Sequence, residues 1–122
     1  MSTFINSNKN VRPRTVNNTG LVRDQEETLY VCPNNCRAHM NLLYVTNTGA
    51  ASTDISVEWV RADGSHVHIL GGKNISSSEF IQWSGAYIVL EPGDIITFTP
   101  SGSNDPHVDV MATVEETFVP VG

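Results

Sequence analysis

Residues 54–61 read DISVEWVR, and their alternation decides the fold class. Ile55, Val57 and Trp59 fall on one side of an extended chain, with Asp54, Ser56 and Glu58 on the other. A period of two marks a strand with one face buried, because successive side chains of a strand point to opposite faces. Working outward, similar short β-rich runs occur at TLYV (28–31), HMNLLYVTNT (39–48), HVHIL (66–70), FIQW (80–83), AYIVL (86–90), IITFT (95–99) and HVDVMATVEETFV (107–119). The near-continuous apolar run at 39–48 predicts a central strand covered on both faces. The punctuation fits. Asp63-Gly64 suits a tight hairpin, and Glu91-Pro92-Gly93-Asp94 has the chemistry of a type II turn, with Pro where φ near −65° is wanted and Gly where φ is positive. TNTGAAST (46–53) and PSGSNDP (100–106) read as longer loops. No window carries a helical apolar stripe. The prediction is all-β: a small antiparallel β-sandwich or jelly-roll-like barrel over residues 27–122.

The leading stretch, MSTFINSNKNVRPRTVNNTGLVRD (1–24), differs in kind. Its basic residues are Lys9, Arg12, Arg14 and Arg23, and no acid precedes Asp24. Residues 24–122 hold three basic residues (Arg37, Arg61 and Lys73) against all 13 acidic ones, within a net charge of −6. Such asymmetry points to an interaction tail. Residues 1–26 are therefore expected to form an extended basic arm. Ordering about twenty residues costs roughly 1–2 kcal/mol each in backbone entropy, more than sparse apolar side chains offset alone. The expectation is that neighbouring subunits grip the arm through Phe4, Ile5, Lys9, Val11, Arg12, Arg14, Val16, Leu21 and Arg23. The acidic body argues against nucleic-acid binding, which needs clustered Lys and Arg. No apolar run has membrane-spanning length, and no secretory signal is readable, so synthesis in a cytoplasm is expected.

At 122 residues the chain is long enough for one domain with its own core. Chemistry-bearing clusters are few. Cys32-Pro-Asn-Asn-Cys36 admits three readings: two semi-buried residues flanking a turn, a loop disulfide, or part of a metal set with His39. His66 and His68 project from one strand face, and with His107 and Asp109 they make a two-His-plus-carboxylate site if their strands adjoin. Gly71-Gly72-Lys73 lacks a phosphate-loop framework, and no nucleophile elbow occurs. Adjacent acids such as Glu115 and Glu116 face opposite sides of a strand. Trp59 shares its face with Ile55 and Val57, as a core residue does, whereas Trp83, with Tyr44 and Tyr87, is the candidate for a sugar-stacking surface. The expectation is no enzyme, no catalytic or metal residue and no cofactor.

The stretches TLYVCPNNCRAHMNLLYVTNTGAASTDISVEWVRADG (28–64) and IVLEPGDIITFTPSGSNDPHVDVMATVEE (88–116) resemble a group of small tailed-bacteriophage virion proteins. The family's opening corresponds to residues 29–48, its G-D turn to 90–95 and its closing strand to 108–116, so the likeness spans 28–117. Cys32 and Cys36 depart from that pattern and leave the disulfide and metal readings open. The resemblance implies a non-enzymatic structural subunit localised to the virion, a head decoration or cement protein. A neck or tail-completion protein stands as the alternative. It also implies other virion proteins as partners and a homo-oligomer. Outside that family, a carbohydrate- or receptor-binding sandwich module is the remaining alternative.

Overall fold

The computed structural model describes residues 11–119, without the side chains of residues 85–87. Eight strands follow one another: β1 (Val11–Gly20), β2 (Glu27–Val31), β3 (Cys36–Asn47), β4 (Thr53–Val60), β5 (His66–Ile75), β6 (Phe80–Leu90), β7 (Ile95–Ser101) and β8 (Val108–Phe118). They make two four-stranded sheets, ordered β1-β8-β3-β6 and β2-β7-β4-β5. The antiparallel pairs β1 with β8, β2 with β7, β3 with β6 and β4 with β5 are nested like one long hairpin rolled on itself. Rolling that hairpin over a core gives a jelly roll, which settles between the two expected architectures.

DISVEWVR behaves as its alternation requires. Ile55 and Val57 are fully buried, and Trp59 packs against the same core. On β8 the inward positions are Val108, Val110, Ala112, Val114 and Glu116. These face Leu29, Tyr30, Ile96 and Phe98 of the other sheet within one cluster of buried residues. The turns form as read. Gly64 and Gly93 take φ of 91° and 87°, and the Asp94 N–H closes the Glu91 turn at 3.0 Å.

Three expectations change. FIQW and AYIVL are one strand, β6, bent where its pairing with β3 steps from Met40–Ile88 to Leu42–Ser84. The run at 39–48 is central in its sheet but covered on one face only, so His39, Tyr44 and Thr46 stay partly exposed. The third change is the largest. Within the expected arm, Val11–Gly20 is a strand that pairs with β8 over its whole length. Arg12, Arg14 and Val16 thus lie within the sandwich, and the expected boundary at residue 26 falls between two strands of one core. Phe4, Ile5 and Lys9 lie outside the described residues.

Candidate functional site

The edge of the sandwich formed by β1, β8 and β2 brings two arginines and a tyrosine onto one buried carboxylate. Because the inward set of β8 continues past Val114, the next inward position, Glu116, is carried between the sheets and fully buried. A carboxylate taken out of water must be paired and hydrogen-bonded. Arg12 of β1 supplies Nε at 3.0 Å and Nη2 at 2.6 Å to Oε1. Arg14, two residues on and thus on the same face, reaches Oε2 at 3.2 Å. Tyr30 of β2 donates its hydroxyl to Oε2 at 2.5 Å from the opposite sheet. Burial pushes the Glu116 carboxyl up, but the Tyr30 and Arg12 hydrogen bonds and both guanidinium charges outweigh it, holding the group below the ordinary carboxylate range. Burial and the hydrogen bond to Glu116 push the Tyr30 phenol far above its usual value. Arg12 also lies over the Phe118 ring, 5.7 Å from its centroid.

The rest of β1 adds polar ties. Asn18 Nδ2 donates to the Thr28 carbonyl at 2.9 Å, and Thr19 Oγ1 donates to Asp109 at 2.8 Å. Gly20 ends the strand against β7, where a Cβ would meet Phe98 at 3.0 Å and Pro100 at 3.2 Å. A side chain there would have to displace those two rings by a few tenths of an ångström. Of the remaining arm positions, Val11 and Leu21 are exposed, and Arg23 Nη1 donates to Asn104 at 2.8 Å. The anticipated grip of Arg12 and Arg14 on a neighbour is therefore met within the chain by Glu116.

Other candidate sites are dispersed. Cys32 and Cys36 are buried free thiols flanking the Pro33 turn, with no disulfide between them. Burial and the neighbouring Cys36 push the Cys32 thiol up to about 11. His39 lies on the opposite face of β3 from Cys36. His66 and His68 sit on β5 beside Glu58, at 2.7 and 3.8 Å, whereas Asp109 belongs to β8 of the other sheet and His107 lies in the loop just before it. His107 faces Asp105 at 3.7 Å. The proposed two-His-plus-carboxylate site is not brought together. Trp83 lines an apolar cavity of about 150 Å³ with Met40, Leu42, Leu43, Ile69 and Ile88. The exposed aromatic pair is instead Tyr44 and Phe80, stacked at 5.2 Å on the outer face of β3 and β6. Tyr87 lies among the residues whose side chains are not described.

Sequence reasoning missed Glu116 as a focus. The available signal was an acid on the apolar parity of β8, together with two arginines spaced by two around Pro13.

No protein-family model and no curated protein sequence matches the chain. Solved structures do. One, described as the acidic stable capsid structure of Helicobacter pylori bacteriophage KHP30, matches with a TM-score of 0.58 at 12% identity, covering 89% of each chain. Another, from Bacillus endospore appendages described as a novel family of disulfide-linked pili, matches with a TM-score of 0.52 at 9% identity, covering 90% of this chain and 89% of that one. At such identities the likeness is one of fold: the jelly roll of this chain is shared with a phage capsid chain and a pilus chain.

Proposed function

We propose that this chain is a non-enzymatic structural subunit of a tailed-bacteriophage particle, a head decoration or cement protein acting among other virion proteins. The jelly roll docks on the particle, and the N-terminal segment, with Phe4, Ile5 and Lys9 ahead of β1, reaches neighbouring subunits. The observation that carries this reading is the rolled two-sheet frame shared nearly end to end with a phage capsid chain. The dispersal of His66, His68, His107 and the two cysteines agrees with a scaffold role. Small bodies build shells and rings by repeating one contact, so a symmetric homo-oligomer follows.

The test is copy number. Quantitative mass spectrometry of particles purified from a lysate expressing the chain is expected to find it in shell-like stoichiometry with the major capsid protein. A count matching one symmetric ring moves it to the neck or tail, and absence from particles overturns the reading. A carbohydrate-binding role has one observation in its favour. Tyr44, stacked on Phe80, lines a groove together with Asn17, Thr19, Thr46, Asp109 and Met111. Saturable glycan binding that Phe80→Ala removes would establish it. Under the structural reading, titration gives no saturation.

A further inference from the structure

β1 is the outermost member of the rolled hairpin, and its attachment is separable from the core. Its side chains contribute only Val16 to the packing against the core cluster and bury only Gly20. What fixes it is the ladder to β8, the Arg12 and Arg14 contacts to Glu116, and the Asn18 bond to Thr28. Every one of those partner groups belongs to β8 or β2. A β1 from a second copy would satisfy them equally well, which is the condition for exchanging an element between identical chains.

The linker, residues 21–26, supplies the second observation. It holds Asp24 at φ 61°, in the left-handed region that disfavours a residue with a Cβ. It also leaves Leu21 and Val22 side by side, 52% and 51% exposed. Three bonds tie this closed linker to the body: the Asp24 N–H donates to the Pro100 carbonyl at 2.8 Å, Arg23 to Asn104 at 2.8 Å, and Thr97 Oγ1 to the Glu26 carboxylate at 2.9 Å. Drawn out, six residues span about 20 Å, enough to carry β1 to an adjacent body. The opened linker frees Asp24 from its constrained φ, and paired linkers give the aliphatic side chains a surface to cover.

We propose that β1 is exchanged between copies of this chain, with Arg12 and Arg14 of one copy closing on Glu116 and Tyr30 of the next. The proposal rests on the reading of the chain as a self-assembling subunit. Within a copy, the short linker gives β1 an effective concentration in the millimolar range. Copies docked side by side on a particle present competing β8 edges at comparable concentration, so assembly tips the balance toward exchange.

The experiment uses the register of β1 on β8, in which Asn17 lies opposite Met111. One full-length chain carries Asn17→Cys and another Met111→Cys. The two are unfolded, mixed, refolded at about millimolar concentration and oxidised gently. The native thiols are buried, and that of Cys32 is pushed up to about 11, which keeps it out of the reaction. The expected result is a covalent heterodimer on a non-reducing gel, absent when either chain is oxidised alone. Asp24→Val, which is costly in the closed linker, raises its yield about tenfold at subsaturating concentration. Asp24→Gly, which is at ease there, lowers it. No heterodimer in the mixture, while a chain bearing both substitutions closes its own disulfide in every copy, overturns the proposal. Yields that the Asp24 variants leave equal overturn the linker as its driver. Because purified chains suffice, the result is independent of copy-number measurements: absence from particles removes the virion role and leaves exchange standing.

Discussion

The two long edges of the sandwich are closed by opposite means. At the β1–β2 edge a buried carboxylate of β8 is held by two guanidiniums from β1 and a phenol from β2. At the β5–β6 edge no such fastener spans the sheets among the described residues. The wall there is Met40, Leu42, Leu43, Ile69, Trp83 and Ile88 around a cavity of about 150 Å³. The register steps on this side put extra residues on β5 and β6, which bends both edge strands. The contrast separates two jobs. Apolar contact is indifferent to which groups meet, so it closes a core without specifying a partner. A buried charge with three directed donors accepts one arrangement only and can be undone and remade in the same form.

The largest test of that contrast is removal of one edge. Deleting residues 1–20 strips β1, bares the full length of the β8 edge and leaves Glu116 buried with Tyr30 as its remaining partner. Read as a solvent arm, the segment is dispensable and residues 28 onward fold without it. Read as a strand of the roll, it is required. The expected outcome is loss of a cooperative thermal transition, with aggregation through the exposed edge. A truncated chain that melts as sharply as the intact one would return the segment to the status of an arm.

The sequence yielded most of the frame because seven strands carry apolar residues on their inward positions. DISVEWVR and HVDVMATVEETFV display their alternation openly. β1 was illegible for a physical reason: its inward positions are Arg12, Arg14, Val16, Asn18 and Gly20, so polar groups occupy the places where a buried face normally shows apolar ones. Pro13 is tolerated because β1 is an edge strand, yet in a one-dimensional reading it argues against a strand. The site was hidden likewise. Glu116 and its partners lie about a hundred residues apart, and only closure of the rolled hairpin reveals that a lone acid on β8 and a basic stretch at the start are one unit.

A middle-sized effect sharpens the comparison. Glu116→Gln keeps the shape and the acceptor for Tyr30 but removes the charge that Arg12 and Arg14 answer. At neutral pH the loss is expected to be about 2 kcal/mol, within the range for charge-assisted hydrogen bonds to a buried group. The sign of the pH dependence is fixed by the depressed folded-state titration. The stabilisation is complete above the unfolded value of about 4.3 and disappears as pH falls through the lower folded value. Chemical denaturation of both forms across that window is expected to show a gap that is constant near neutrality and closes in acid. A gap that widens in acid would mean that Glu116 is held neutral.

The smallest effect belongs to the opposite edge. Trp83 is 38% exposed and borders space that is already empty, so its removal enlarges a gap instead of opening one in a filled core. A fully buried Trp→Ala change costs roughly 3–5 kcal/mol. With solvent on one side and bent strands free to close up, Trp83→Ala is expected to cost about 1 kcal/mol, with no change in acid response. The same measurement separates the edges. Apolar closure answers to lost area at every pH, whereas the Glu116 cluster answers to protonation. If Trp83→Ala proved as costly as Glu116→Gln, the open edge would be as tightly specified as the closed one. Separability would then no longer distinguish β1, because both edges of the roll would resist opening alike.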